Sequence, residues 1–313
     1  MSVRVGLGIA AFPFETPRAF FRWVDLCEGG GVDSLWQTDR LVSREPHLES
    51  LSAMAALAGA TERMKFGMNA MVASLRDPLV AAKQCATIDF LSGGRLLPVF
   101  VPGHDTAPEW EATGRDPRER GRLADEILEI MRRLWSEERV SFEGRHFRYR
   151  DVSIAPRPVQ QPLPLWIGGH SPAAVRRTAR VGTGWLAGLV PPGQLAELVV
   201  AIRRELARAG RTIDPDHYGV TLPYRFGSLD DPAVQRMVAA REGAGGAPPG
   251  WLAVGDAAAV TAALRAYVDA GASKFVMIPL ARGEEDLVLQ TRRLVEELLP
   301  AFEAPAPARA AAG

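Results

Sequence analysis

The sequence predicts a closed barrel of eight parallel β-strands, each followed by an α-helix, which is the (β/α)8 or TIM-barrel class. Short β-rich runs alternate with longer helical runs, and eight such pairs follow one another in a chain of 313 residues. Strands that alternate with helices form parallel sheets, since a crossover helix is needed to return the chain to the same end. Eight such units match a closed barrel better than an open doubly wound sheet.

Four strand–helix pairs account for the first half of the chain. In the first pair, a β-rich run at 3–9 precedes a run whose apolar residues Phe20, Phe21, Val24 and Cys27 recur at helical spacing. Three glycines end that helix. The next three strands are predicted at 33–38, 64–72 and 95–101, and their helices within 48–61, 77–94 and 116–138.

The second half begins with a β-hairpin and then returns to the same alternation. The run 140–154 contains a Glu143-Gly144 turn between two β-rich stretches, which is typical of a hairpin. A stretch rich in Gly, Ala and Pro at 243–250 interrupts the later pattern. The remaining strands are predicted at 163–169, 184–190, 217–226 and 274–280, with helices at 171–182, 192–210, 256–271 and 284–299.

Composition and charge indicate an ordinary globular protein. Hydrophobic residues make up 47% of the chain, and we expect one domain over 1–302 followed by a flexible tail at 303–313. Lys plus Arg equals Asp plus Glu at 37 each, so no net charge favours nucleic acid or an anionic membrane as partner. Without a leader-like segment, and with Cys27 and Cys85 at core-facing helix positions, the sequence predicts a cytoplasmic protein.

The carboxyl ends of the strands are where a barrel of this class places its chemistry. His104 lies there, directly after the fourth predicted strand, in the run Pro102-Gly103-His104. Because imidazole titrates near neutral pH, we predict that His104 is the catalytic proton donor. The alternative is a loop histidine that makes one hydrogen bond to the backbone.

Asp39 and Arg40 follow the second predicted strand. Either side chain could bind or orient a polar ring edge, and Arg40 is a permanent cation that cannot transfer a proton near neutral pH. We therefore place both among the predicted catalytic residues, and Asp39 also among the cofactor-binding residues. The alternative is an adjacent surface ion pair without a role in the reaction.

The segment Gly168-Gly169-His170-Ser171 follows the fifth predicted strand and has the features of a phosphate site. Two glycines let the backbone approach a ligand closely, and Ser171-Pro172 begins a helix whose first amides are unpaired and partly positive. The alternative is a tight turn in which Ser171 only caps the helix. The sequence contains no GxGxxG or Walker pattern that would offer another phosphate site.

The strand ends lack the usual groups for covalent or metal catalysis. No serine lies in a GxSxG setting, and both cysteines fall on core positions. No pair of histidines has HExxH-like spacing, so we predict no metal site. This shortage indicates that a bound cofactor does the chemistry, while the protein supplies shape, hydrogen bonds and a phosphate anchor.

Several segments, taken in chain order, resemble those of a known family. They include the turn "LSGGR" at 91–95, the hairpin leading to "PLWIGG", and the later "YVDAGASKFV". Together they resemble the luciferase-like oxidoreductases over nearly the whole chain. The resemblance implies a β/α barrel with insertions, like that of bacterial luciferase, which binds reduced FMN or the deazaflavin coenzyme F420.

The resemblance also implies where the cofactor would lie. Its phosphate would contact residues 168–171, in agreement with the argument from the helix start. Its ring would rest near Asn69-Ala70 on the third strand, where deazaflavin-using relatives have a cis peptide bond that does not involve proline. Asn69 and Ala70 are therefore expected to bind the cofactor.

Three positions depart from the family pattern. One is Pro102, where luciferase-like monooxygenases have a phosphate-binding arginine. Relatives commonly have histidine where this chain has Arg40, and sugar-phosphate dehydrogenases of the deazaflavin branch have glutamate where it has His104. Their substrates therefore do not transfer, and we expect F420-dependent hydride transfer on some small organic substrate. The alternatives are an FMN-dependent monooxygenase served by a flavin reductase, and a non-catalytic flavin-binding barrel. Family habit implies a homodimer.

Overall fold

The structure, a computed structural model, describes residues 2–10, 12–243 and 250–302. The predicted tail at 303–313 lies outside these residues, and so does most of the stretch rich in Gly, Ala and Pro, 244–249. Within the described residues, strands and helices alternate in the predicted order.

The described strands begin and end close to their predicted positions, with four exceptions described below. Most are short, which is usual for strands that line a small barrel. In chain order they are β1 (Arg4–Ile9), β2 (Ser34–Gln37), β3 (Lys65–Met68), β4 (Met71–Val72), β5 (Val99–Val101), β6 (Val140–Glu143), β7 (Arg148–Val152), β8 (Trp166–Gly168), β9 (Gly184–Leu186), β10 (Tyr218–Phe226), β11 (Ala253–Gly255) and β12 (Lys274–Pro279).

These strands form a nearly closed parallel barrel and a separate hairpin. Nine of them lie side by side in the order β3-β2-β1-β12-β10-β9-β8-β5-β4, and β11 pairs with β10. A parallel bridge between Phe66 and Leu96 joins β3 to the segment that leads into β5. The predicted fold class is thereby confirmed. The predicted hairpin is also confirmed, since β6 and β7 pair antiparallel.

The α-helices follow the strands and cover the outside of the barrel. Among the described residues, no helix combines the length and the apolar character needed to cross a membrane. In chain order the helices are α1 (Pro17–Gly29), α2 (Ser50–Ala60), α3 (Pro78–Leu91), α4 (Glu109–Ala112), α5 (Arg120–Ser136), α6 (Pro172–Val181), α7 (Pro192–Arg208), α8 (Pro232–Gly243), α9 (Ala257–Asp269) and α10 (Gly283–Arg293).

The centre of the barrel is filled by side chains rather than open. Trp36, Val99, Trp166, Leu186 and Val276 come from five different barrel strands and form one buried cluster. Strands on different sides of a barrel can share such a cluster only through its interior. A larger cluster packs the outer faces of the strands against the helices. The filled interior leaves no room for a ligand, so a site built from the strand ends must lie at a rim of the barrel.

The "LSGGR" turn belongs to the scaffold. Gly94 donates its amide to the carbonyl of Asp89, which closes the end of α3. Arg95 donates to the carbonyl oxygens of Ala58, Thr61 and Met64, at the end of α2 and just beyond it. The Ala58 and Thr61 carbonyls lie at the end of α2, and a helix leaves its last carbonyls unpaired. The motif thus fixes α2 and α3 against the barrel.

Four strands and two helices differ from the sequence-based expectation. No helix is predicted at α4 or α8, and β9 ends at Leu186 instead of 190. The fourth barrel strand, β5, begins at Val99 instead of 95, because Pro98 has no amide and only accepts, from Trp166 N. The third barrel strand is divided into β3 and β4 at Asn69–Ala70. Strand β11 was not predicted, and it lies just after the described gap at 244–249.

Candidate active site

Four loops at one rim of the barrel hold the predicted site residues. They follow β2, β3, β5 and β8, and these strands form two neighbouring pairs in the barrel, β2 with β3 and β5 with β8. Parallel strands end at the same rim, so all four loops lie on the face where catalytic groups gather in this fold.

Asp39 is buried at this rim, and its carboxylate accepts three hydrogen bonds. Oδ1 accepts from Ser50 Oγ at 3.0 Å and from Arg76 Nη2 at 2.6 Å, and Oδ2 accepts from the Val72 amide at 2.9 Å. Asp39 therefore joins the end of β2 to α2 and β4. The alternative of a surface ion pair with Arg40 is wrong, because the Asp39 side chain is 1% exposed and pairs with Arg76.

Arg76 is a site residue that the sequence analysis missed. Its guanidinium also lies 3.4 Å from Glu49 Oε1, and the Glu49 carboxylate caps α2 by accepting from the Leu51 and Ser52 amides. Burial raises the pKa of Glu49, but these hydrogen bonds and the charge of Arg76 hold it below its ordinary value. No local pattern marks Arg76, since Asp39 is 37 positions away.

Arg40 and His104 line one small cavity of about 40 Å³ between the loops after β2 and β5, together with Asp39. Arg40 is exposed, and the His104 side chain is 81% exposed. His104 Nδ1 lies 3.0 Å from Thr106 Oγ1 and 3.3 Å from Asp105 Oδ1. The structure thus brings the three predicted catalytic residues around a single cavity.

Gly103 sets the path of the backbone just before His104. Its φ is +88°, and a Cβ there would lie 2.7 Å from Val72 Cγ1 and 2.9 Å from Trp110 Cζ2. Only glycine combines this backbone conformation with so close an approach. Trp110 Nε1 donates to the His104 carbonyl at 2.6 Å, which holds the loop against the rim.

Asn69 and Ala70 lie where the third barrel strand breaks between β3 and β4. The peptide bond between them is cis. Asn69 Nδ2 donates to Thr221 Oγ1 on β10 at 3.1 Å, through the interior of the barrel. Ala70 Cβ is 3.5 Å from the position a Cβ on Gly168 would take, so this break lies against the predicted phosphate segment.

The segment 168–171 leads from β8 directly into α6. A Cβ on Gly168 would lie 2.6 Å from Val101 Cγ1, and Gly169 has a φ of +104°. Ser171 Oγ accepts from the Ala174 amide at 3.2 Å and caps α6. The predicted cap at Ser171 is thus confirmed. This cap by itself leaves the phosphate prediction open.

Several backbone amides near this cap have no hydrogen-bond acceptor in the described residues and could donate to a ligand. Gly169 N donates to the Leu186 carbonyl, and the Gly169 carbonyl accepts from Trp185 Nε1. Across the described residues, no hydrogen bond uses the amides of His170, Ser171 or Ala173. Unpaired amides at a helix start attract anions, so this segment fits a phosphate group.

Aromatic residues lie beside the site, after β1. Phe12 and Phe14 have ring centroids 5.2 Å apart and pack against Phe20. Together with residues of α2 they line a cavity of about 340 Å³ between α1 and α2. In the described part of the chain, no group of three or more His, Cys, Asp or Glu side chains is arranged to hold a metal ion.

The chain matches the model of one protein family. That family is described as luciferase-like monooxygenase, and the match covers residues 3–245. An uncharacterized protein of Mycobacterium tuberculosis is 32% identical over 171 residues, which is 54% of this chain and 57% of that protein. The aligned region therefore spans little more than half the length of this curated relative.

Solved structures share the fold at low sequence identity. A monooxygenase from Streptomyces bottropensis has a TM-score of 0.83 at 21% identity, covering 96% of this chain and all of that one. An F420-dependent secondary alcohol dehydrogenase, bound to an F420-acetone adduct, has a TM-score of 0.83 at 17% identity over 97% and 100% of the chains. A Baeyer-Villiger monooxygenase of Pseudomonas putida, in complex with FMN, has a TM-score of 0.77 at 16% identity, covering 97% of this chain and 100% of that one.

Proposed function

The chain belongs to the luciferase-like monooxygenase family, and from this premise we propose that it is an oxidoreductase with a flavin-type cofactor at the carboxyl rim of its barrel. We favour coenzyme F420 and a small organic substrate. When bound, this cofactor would supply two-electron hydride transfer. The protein's own part is to bind the cofactor, orient the substrate and hold a proton.

The observation on which this proposal chiefly rests is the start of α6. Three amides, those of His170, Ser171 and Ala173, have no partner within the described residues, and two glycines precede them. FMN and F420 both contain a phosphate, and the two glycines keep side chains from blocking it. We propose that this segment anchors the phosphate of either cofactor.

The ring of the cofactor is proposed to lie against Asn69 and Ala70. Ala70 Cβ lies 3.5 Å from the position that a Cβ on Gly168 would take, so a ring there lies beside the phosphate segment. Thr221 fixes the Asn69 side chain, and Asp39 fixes the nearby Val72 amide. Both hydrogen bonds hold this stretch of chain in one conformation, which lowers the cost of ordering it when a ligand binds.

The predicted catalytic residues take different parts in this proposal. Asp39 orients the rim, since its two oxygens already accept three hydrogen bonds. Arg40 is exposed at the small cavity and would bind an acceptor group of the substrate. His104 would exchange a proton with solvent, because its ring is largely exposed and lies at the same cavity.

The second candidate function is FMN-dependent monooxygenation, with reduced flavin delivered by a partner reductase. The family description and the monooxygenases among the similar structures favour it. The compact chain, without long insertions, supports the F420 choice. The homodimer and the cytoplasmic location expected from the sequence stay predictions.

Titration of the pure protein with each cofactor separates these candidates. We expect F420 to bind in the micromolar range or tighter, followed by its visible absorbance, and FMN to bind more weakly. Substrate turnover without oxygen consumption then supports hydride transfer. Tighter binding of FMN, together with oxygen consumption in the presence of a reductase, would establish the second candidate instead.

Ser171→Asp tests the phosphate anchor directly. Aspartate caps a helix as well as serine does, so the stability of α6 is retained, but its charge repels a phosphate. We expect cofactor affinity to fall at least about tenfold, which corresponds to about 1.4 kcal/mol. Thr16→Asp is the matched control, because Thr16 caps α1 through the Ala19 amide at the same distance of 3.2 Å. Equal affinities for the two variants would refute the anchor.

A further inference from the structure

Glu109 is a buried acid at the rim for which the described structure provides no partner. The residue is 3% exposed, and its Oε2 has no hydrogen bond in the described part of the chain. No nitrogen of a described Lys, Arg or His comes within the 4.0 Å limit of an ion pair. Burying a charge without a partner costs several kcal/mol, so such groups are rare unless they have a function.

Glu109 lines the same small cavity as Arg40 and His104. This cavity, of about 40 Å³, lies between the loops after β2 and β5 and also touches Val72. A cavity of that size accommodates one to a few water molecules. A proton on Glu109 can therefore reach the rim through water, and Val72, which lines the cavity, is two residues from Ala70.

The short helix α4 holds Glu109 in place. The Thr113 amide and hydroxyl both donate to the Glu109 carbonyl, at 3.0 and 2.7 Å, and Trp110 is anchored to the His104 carbonyl. The backbone is thus fixed while the carboxyl group is left unbonded at Oε2.

Two other acids in the interior differ from Glu109, because each forms an ion pair. Asp39 pairs with Arg76 at the rim, and Asp33 pairs with Lys274 at the opposite end of the barrel. Both are structural pairs that neutralise a buried charge. Glu109 has no such pair, which argues against a purely structural role.

We propose that Glu109 holds a proton on Oε2 and exchanges it, through the cavity shared with His104, with the molecule that reacts at the rim. This inference rests on the proposed oxidoreductase function. The step moves one proton and no electrons: the carboxylic acid becomes a carboxylate, and it regains the proton from solvent through the His104 side of the cavity. Asp39, Arg40 and His104 are the charged or titratable groups that line this cavity.

Infrared difference spectroscopy of the full protein tests the proton without any assay of activity. The spectrum of the wild type minus that of Glu109→Gln should contain the C=O stretch of a protonated carboxylic acid at neutral pH. Glu111→Gln is the matched control, because Glu111 is an exposed acid on the same helix. A difference spectrum with carboxylate bands only would overturn the proposal.

Turnover and thermal unfolding complete the test. We expect Glu109→Gln to lower turnover about a hundredfold, as loss of a general acid does, while cofactor affinity and the melting temperature do not fall. Glu111→Gln should match the wild type in all three measurements. Unchanged turnover of Glu109→Gln, or a lower melting temperature that indicates a structural bond, would refute the role. If the wild type binds neither cofactor, the proposed function fails, but the infrared result still decides whether Glu109 holds a proton.

Discussion

At the residue scale, burial divides neighbouring residues into different roles. Asp39 and Arg40 are adjacent in sequence, yet Asp39 is buried with three donors and Arg40 is exposed at a cavity. His104 and Glu109 likewise belong to one loop, but the first is exposed and the second is buried. The backbone direction at each position decides which side chain faces the protein interior.

Asp39→Asn should destabilise the protein by about 3 kcal/mol, because it leaves the buried Arg76 with only the partly exposed Glu49 carboxylate, 3.4 Å away, as a charged partner. The Arg76 side chain is 10% exposed, so solvent cannot replace the lost carboxylate. Urea unfolding measures the change. Glu143→Gln is the control: it breaks an ion pair with Arg148 whose members are 73% and 76% exposed, and it should cost less than about 0.5 kcal/mol. Equal costs would contradict a structural role for Asp39.

His104→Gln should lower turnover and leave cofactor affinity near that of the wild type. The double variant with Glu109→Gln should be no slower than the slower single variant, since residues on one proton path are not additive. Steady-state rates of the four proteins measure this. Independent, multiplying effects would show that His104 and Glu109 act separately, and an unchanged rate of His104→Gln would remove His104 from the mechanism.

At the element scale, buried side chains join the ends of strands to the helices around them. Arg225, at the end of β10, donates to Asp286 at 2.8 Å and pairs with Asp231 at 2.8 Å. Asp286 lies in the first turn of α10 and Asp231 precedes α8. Gln290 bonds to both backbone groups of Phe226, so α10 is held to β10 twice. These bonds fix the carboxyl end of β10 at the rim.

Asp286→Asn should lower the free energy of unfolding by an amount that depends on pH. Burial alone would raise the pKa of Asp286, but hydrogen bonds from Arg225 and the Arg282 amide hold it below its ordinary value. A lowered pKa in the folded state adds stability that is complete above the unfolded value, about 3.9, and is lost as the pH falls through the folded value.

The free energies of unfolding of the wild type and Asp286→Asn should therefore differ by a constant amount between about pH 5 and 7. Below about pH 4 the two should converge, because the wild-type carboxylate becomes protonated. Denaturant titrations at several pH values measure the gap. A gap that persists unchanged down to pH values near 3 would contradict the assignment.

At the scale of the whole molecule, the two ends of the barrel carry different kinds of groups. The carboxyl rim carries the cavity, the unpaired amides and Glu109. The amino end carries the pair of Lys274 and Asp33, where Lys274 is 3% exposed and also lies 5.7 Å from the centre of the Trp36 ring. In barrels of this class the carboxyl end serves chemistry and the other end serves stability.

Lys274→Met should destabilise the protein by about 3 kcal/mol without changing cofactor affinity. The substitution leaves Asp33 largely buried, with only the more distant Arg4 at 3.7 Å. Removing both charges in Asp33→Asn/Lys274→Met should restore part of the loss, since no unpaired charge remains. Urea unfolding and cofactor titration measure the two effects. A loss of affinity in the single variant would show that the ends are coupled.

The sequence by itself determined the barrel class, most of the order of its strands and helices, and the loops at its carboxyl rim. Hydrophobic periodicity is a local property, and it places Gly168 or His104 at a strand end without knowledge of any distant contact. It could not show that β9 ends early or that β11 joins β10, since the limits of a strand depend on its pairing with the neighbouring strands.

Only the tertiary structure decided which of the rim residues have hydrogen-bond or ion-pair partners and which have none. Asp39 contacts Arg76, 37 positions away in sequence, and Asn69 contacts Thr221, 152 positions away. No local sequence pattern predicts contacts between residues so far apart. Glu109 stands in an ordinary helical stretch, and only the packed fold shows that it is buried without a partner. The physical reason is that burial and charge pairing arise from contacts between distant segments, whereas periodicity arises from the backbone geometry of a single segment.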